Sequence, residues 1–194
     1  RLCRRALHLP VPQRQLRGIT MQSKEHWENV YTTKAADEVS WFQEHAALSL
    51  KLIREAGVPL TASIIDVGGG ASTLVDDLLA NGYENVTVLD LSGKALATAK
   101  ARLGTLASKV QWLEANIIET KLDSNAYDVW HDRAVFHFLT TTEERHAYVQ
   151  AVLRAVKPGG LVIVATFAED GPSKCSGLSV MRYDRSEERR VGKE

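Results

Sequence analysis

The stretch Ile64-Ile-Asp66-Val-Gly68-Gly-Gly70-Ala-Ser72 decides how this chain reads. A short apolar run ends in an acid and a turn of glycines, and helix-forming residues follow. An apolar run of that length, bounded by glycine, reads as a buried strand. Glycine reaches positive φ and lets a ligand approach the backbone where a Cβ would stand in the way. Upstream, residues 22–33 and 44–56 carry helical apolar spacing. Downstream, residues 72–81 read as a helix stopped by Asn81-Gly82, and residues 86–90 read as a second strand. Ser92 caps a helix that runs to about Leu103. Residues 110–113 and 127–131 are the third and fourth strands. A helix starts at Thr142, with Glu143 and Glu144 behind it, and runs to Val156. Lys157-Pro-Gly-Gly160 breaks that helix, and residues 161–166 form a fifth strand. Strands alternating with helices predict an α/β chain with a doubly wound parallel sheet.

Composition sets outer bounds. The 194 residues, 44% hydrophobic and 25% charged, suit one globular domain and no disordered chain. No apolar run approaches the roughly 18 residues that span a bilayer, so no membrane partner is expected. The 24 basic and 24 acidic residues balance formally, but residues 1–20 hold five Arg and no acid. Without the two ends the middle is acidic, which argues against a nucleic-acid partner. Cys3 and Cys175 have no Cys or His neighbour at metal-ligand spacing, so neither a zinc site nor a disulfide framework is read, and a reducing, cytoplasmic setting is expected. The organisation expected is threefold. Residues 1–20 are a basic leader or translated upstream sequence ahead of Met21, and residues 21–184 are the domain. Residues 185–194 resemble translated sequencing adapter and read as an artefactual tail.

Two further residues extend the glycine turn. Asp90 ends the second strand, where a carboxylate can accept both hydroxyls of a ribose. Asn116 follows the third strand, where its side-chain oxygen can accept from an adenine amine. The glycine turn also resembles a dinucleotide fingerprint, but the third glycine of that pattern is Thr73 here, and a pyrophosphate binder wants close helix packing there.

In order and spacing, Asp66-Val-Gly-Gly-Gly-Ala-Ser72, Asp90, Ala115-Asn116-Ile117 and Val156-Lys-Pro-Gly-Gly160 resemble the motifs of class I S-adenosylmethionine-dependent methyltransferases. The resemblance covers about residues 25–183. It implies a Rossmann-like sheet of seven strands with S-adenosylmethionine across their carboxyl ends. Asp66, Gly68, Gly69 and Gly70 would hold the methionine end, Asp90 the ribose, and Asn116 and Ile117 the adenine. Ser72 and Leu91 complete that set. Asn116 stands where these enzymes usually carry Asp, which keeps a hydrogen bond and drops a charge. Only five strands are visible, so the C-terminal strands are expected to be missing and the fifth strand to lack a partner on its far side.

Asp132-Arg133-Ala134 is similar to the motif after the fourth strand in thiopurine-type and other small-molecule methyltransferases. Trp27-Glu-Asn-Val-Tyr31 and Ser40-Trp-Phe42 resemble the cover segment of the same relatives. His131, Asp132 and Arg133 are the catalytic candidates, with His131 or Asp132 available as a general base. An equally weighted reading makes Asp132-Arg133 a structural ion pair. Trp27, Tyr31, Trp41, Phe42 and His137 are the candidate substrate-lining residues. The activity expected is methyl transfer to a small-molecule acceptor. A protein lysine methyltransferase and a NAD-dependent oxidoreductase are the alternatives, and the sequence leaves the oligomeric state open.

Overall fold

The computed structural model describes residues 24–133 and 135–184. The leader expected over residues 1–20 and the tail expected over residues 185–194 lie outside the described residues. Helix α1 covers residues 24–33, and α2 spans Ala47–Glu55. Then come β1 (Ser63–Val67), α3 (Leu74–Ala80), β2 (Asn85–Asp90), α4 (Gly93–Leu103), β3 (Val110–Glu114), β4 (Tyr127–Arg133), α5 (Thr142–Ala155) and β5 (Val156–Ala165). The five strands form one parallel sheet in the order β3-β2-β1-β4-β5. Four two-residue strands follow, β6 (Phe167–Ala168), β7 (Lys174–Cys175), β8 (Leu178–Ser179) and β9 (Arg182–Tyr183); β6 pairs with β9 and β7 with β8. This is the expected α/β, Rossmann-like fold. Among the described residues, β5 is paired on one side alone, and Val162 and Val164 on it are about two-fifths exposed.

Alternate residues of β1 explain the layers. Ile64 packs with Ile53, Leu74, Leu78 and Val88 on one face of the sheet; Ile65 and Val67 pack with Trp130, Tyr148 and Val152 on the other. Helices α2, α3 and α4 cover the first face and α5 the second. Each fully buried Leu, Ile or Val contributes about 1.5–3 kcal/mol over an exposed one. No helix among the described residues is long and apolar enough to cross a membrane.

The start of α5 is as expected, and two boundaries after it differ. The cap of α5 is Thr141, whose side chain accepts from Glu144 N while the Glu144 carboxylate returns to Thr141 N. That box seats the first turn so that the helix starts at Thr142, as expected. Helix α5 ends at Ala155, and Val156 already pairs with Tyr127. Lys157-Pro-Gly-Gly160 lies inside β5 as a register shift, because Leu161 pairs with Val129. Pro158 is tolerated there since an edge strand can spare an N–H, and Gly159 takes φ +80°.

The end of β4 is held from below. The Tyr148 hydroxyl accepts from Trp130 Nε1 at 2.9 Å and donates to Asp132 Oδ2 at 2.6 Å. Tyr148→Phe removes both bonds and leaves a buried carboxylate short of a donor. A loss of about 1–3 kcal/mol in urea unfolding is expected, with the same slope against denaturant.

Candidate cofactor and acceptor site

The sheet order reverses at β1, which has β2 on one side and β4 on the other. A crevice opens at the carboxyl ends of such strands. The loop after β1 turns back across that end, as Gly68 N and Gly69 N donate to Leu89 O at 2.7 and 3.3 Å. Gly68 adopts φ +72°, and a Cβ there would run into Val135. A Cβ on Gly69 would strike the Asp66 carboxylate; one on Gly70 would strike the Asp90 carboxylate and lie 2.6 Å from Ala95 Cβ. The glycines therefore let two carboxylates nest against backbone. Arg102 braces the loop from outside: its guanidinium pairs with Asp76 and donates to Ala71 O and Ser72 O at 3.1 and 2.7 Å.

One cavity of about 580 Å³ runs from this loop into an aromatic half. Its loop end is lined by Asp66, Gly68, Gly69, Ser72, Asp90, Leu91, Asn116 and Ile117. Gly70 lies behind the lining, where its N–H donates to Asp90. The other half is lined by Trp27 and Tyr31 of α1, by Trp41 and Phe42, by Arg133, and by His137 and Phe138. Trp27 is the hub, 5.8 Å from Trp41 and 5.3 Å from Phe138, edge to face in both cases. Residues 167–179 close the roof with Phe167, Cys175, Leu178 and Ser179. His26 on α1 meets Ser176 of the β7–β8 turn at 3.2 Å.

The structure sorts the catalytic candidates. Asp132 is fully buried and off the cavity lining; its oxygens accept from Val135 N, Phe136 N and the Tyr148 hydroxyl. Burial lifts its carboxyl to about 6, against those hydrogen bonds. It holds the turn after β4, and its partners do not include Arg133, so the ion-pair reading fails as well. Arg133 lines the cavity and donates to Trp41 O at 3.3 Å. His131 touches the cavity wall, but both its ring nitrogens are engaged, Nδ1 with Asp66 at 2.7 Å and Nε2 with Ser49 at 2.8 Å. A ring so held has no free lone pair for a general base. His137 is fully buried, both its nitrogens lack a partner, and its ring stacks on Phe167 at 4.8 Å. Burial lowers it to about 4, so it is neutral at pH 7.

Sequence reasoning missed Ser49, Arg102, Asp77 and Tyr148. Asp77 accepts from Ala46 N at 2.7 Å and His45 Nδ1 at 2.8 Å, while Thr73 donates to Gln43 O, so α3 fastens the Trp41 segment. A signal existed only for Ser49, a hydroxyl on the stripe Ala46, Ser49, Ile53.

A glycine cradle with two acids at a topological switch point defines the class I S-adenosylmethionine-dependent methyltransferase architecture. The chain belongs to the methyltransferase-domain family, whose model matches residues 65–164. It is 23% identical over 163 residues to human EEF1A lysine methyltransferase 2, covering 74% of this chain and 67% of that protein. The mouse protein of that name is 22% identical over the same length, and the chain spans 65% of it. Among solved structures, the Burkholderia thailandensis 1,6-didemethyltoxoflavin N1-methyltransferase superposes with a TM-score of 0.60 at 19% identity, over 96% of this chain and 79% of that one. A chain solved for the conversion of a disulfide bond into a thioacetal group during echinomycin biosynthesis gives 0.63 at 20% identity, over 78% of this chain and 63% of that one.

The donor is S-adenosylmethionine, and the residues present fit it. Asp66 Oδ2 and Asn116 Nδ2 are buried polar atoms without a protein partner, one at each end of the cradle. Asn116 Oδ1 accepts from Ile118 N at 3.3 Å, so the group left over is the amide nitrogen, a donor suited to an adenine ring nitrogen in place of the expected oxygen acceptor for the adenine amine.

Asp90 carries a pH signature. It keeps some surface at the cavity, but its carboxyl is surrounded by protein. That desolvation lifts it to about 6, opposed by the N–H groups of Ser92, Gly70 and Leu91. With the ribose assigned to Asp90 as the sequence leads one to expect, only its carboxylate could accept from both hydroxyls, so affinity for S-adenosylhomocysteine should be full above that value and fall as pH drops through it. Asp90→Ala should bind about tenfold or more weakly and lose this pH dependence in calorimetric titrations from pH 5 to 8.

Proposed function

We propose that this chain transfers the methyl group of S-adenosylmethionine to a small-molecule acceptor seated among Trp27, Tyr31, Trp41 and Phe138. The chemistry supplied by the donor is an electrophilic methyl carbon on a sulfonium. Asp66 would take its ammonium, Asp90 its ribose hydroxyls, and Asn116 and Ile117 its adenine edge. The observation that carries the acceptor class is the roofed aromatic half of the cavity, where no carboxylate among the described residues is left over for an ammonium. Asp66 and Asp90 belong to the donor end, and Glu144 is spent on the Thr141 cap. What remains is flat aromatic surface, the Arg133 guanidinium and the neutral His137 ring. That set suits an uncharged or anionic ring compound better than a lysine side chain. His137, neutral and unpartnered, would accept a hydrogen bond from the acceptor's N–H, O–H or S–H and so orient it toward the methyl carbon. The aromatic walls exclude water from the reacting atoms.

A second reading, transfer to a protein lysine, is favoured by the two curated relatives named for that activity. The readings separate in one assay. Tritiated methyl from S-adenosylmethionine is followed into a panel of heteroaromatic thiols and N–H compounds and into purified EEF1A. Label in the small molecules is expected; label confined to EEF1A would replace this reading with the second. His137→Phe keeps the stack on Phe167, so it should retain S-adenosylhomocysteine affinity while losing turnover by about tenfold or more.

A further inference from the structure

Behind the cavity wall, three buried side chains from three elements form one hydrogen-bonded chain. Asp66 ends β1, His131 lies in β4, and Ser49 sits on α2; their exposures are 2%, 2% and 7%. His131 Nδ1 meets Asp66 Oδ1 at 2.7 Å, and His131 Nε2 meets Ser49 Oγ at 2.8 Å. The other oxygen of the acid, Oδ2, has no protein partner and lies against Gly69.

A carboxylate only accepts, so the proton at that contact belongs to His131 Nδ1. In the neutral ring Nε2 is then the acceptor, and the Ser49 hydroxyl donates a hydrogen bond to it. Held at both ends, the imidazole cannot rotate, and Asp66 is fixed by its Oδ1. The orientation of Oδ2 follows: it is turned to the glycine loop. The same order of groups occurs in hydrolases that use a serine nucleophile. Here the serine is buried beneath α2 and off the cavity lining, so no acyl substrate reaches it.

Ser49 ties this acid to more than a ring. Its helix follows directly on residues 41–46, which supply Trp41, Phe42 and Gln43 to the acceptor half of the cavity. That segment is pinned by Asp77 through Ala46 N and His45. One helix therefore bears on the donor end through Ser49 and on the acceptor end through the segment before it.

We propose that His131 and Ser49 are positioning residues for the donor site, holding the Asp66 carboxylate in the one orientation that presents Oδ2 to the cofactor's ammonium, and coupling that orientation to the seating of α2. The proposal rests on the reading that Asp66 serves the methionine end of the cofactor. It replaces the general-base role expected for His131 with one that acts through Asp66.

The test is calorimetric titration with S-adenosylhomocysteine, with thermal unfolding of each variant alongside. His131→Phe, which removes both bonds, should weaken binding by about tenfold or more. His131→Asn keeps a donor near the position of Nδ1 and should stay within about threefold of the parent. Ser49→Ala should weaken binding by about three- to tenfold, and Ser49→Thr, which restores a hydroxyl, should recover most of it. In an Asp66→Asn background, Ser49→Ala should add almost nothing, because the loss passes through that carboxylate. If His131→Phe fails to fold, Ser49→Ala, Ser49→Thr and the double-variant comparison carry the decision. Wild-type affinity in Ser49→Ala, or an equal loss with and without Asp66, would overturn the proposal and leave Ser49 as a packing residue. A parent chain that does not bind S-adenosylhomocysteine would instead overturn the cofactor reading on which it rests.

Discussion

The reversal of strand order at β1 is the constraint on which the rest of this structure depends. With β2 on one flank and β4 on the other, the connections leaving these strands diverge to opposite faces of the sheet, and a crevice stays open between them. Asp66, Asp90 and Arg133 stand at the ends of those strands and so meet around one space. A sheet wound in one direction from the same strands would scatter them. The glycines answer a second demand of that geometry. The loop must turn sharply while two carboxylates press on it from below, and any Cβ at Gly69 or Gly70 would occupy their place.

Around this crevice the chain spends its polar bonds on holding position. Arg102 braces the loop carbonyls, Asp77 fastens the segment before α2, and Asp132 with Tyr148 fixes the turn after β4. Most of these bonds join elements distant in sequence, and where they are buried, leaving one partner unpaired costs more than the bond contributes net. The glycine-loop end of the cavity is thereby stiff and polar. The other end is aromatic and roofed by short strands and a hairpin turn. This division agrees with the demands of methyl transfer, in which the protein orients two reactants and keeps water out.

Much of the fold was legible because its signals are local. The apolar runs at β1 and β2, the Ser92 cap and the helix stop at Asn81-Gly82 all report the backbone near themselves. The misread boundaries have a common cause. Lys157-Pro-Gly-Gly160 looks like a loop by composition, yet β4 captures it as a bulged edge strand, and a pairing partner some 30 residues away is invisible to local patterning. The candidate cofactor-binding residues stand out for the same reason as the strands: Asp66, Asp90 and Asn116 sit at or just past strand ends that the pattern marks. The catalytic candidates were read from chemistry alone, as His131 and Asp132 are residue types that move protons. Burial and partners then gave them other work.

By itself, the sequence determined that this chain alternates strand and helix, that a glycine turn follows an acid at the end of β1, and that a second acid ends β2. Those features depend on neighbours a few residues apart, through backbone freedom, apolar spacing and capping. Tertiary structure decided which side chains are free to act. Ser49, Asp66 and His131 are linked although 65 and 82 positions separate the bonded pairs. His137 is left neutral and unpartnered because Phe138 and Phe167 enclose it. Desolvation and hydrogen-bond partnership belong to the packed interior, and a side chain acquires them only when distant elements close around it.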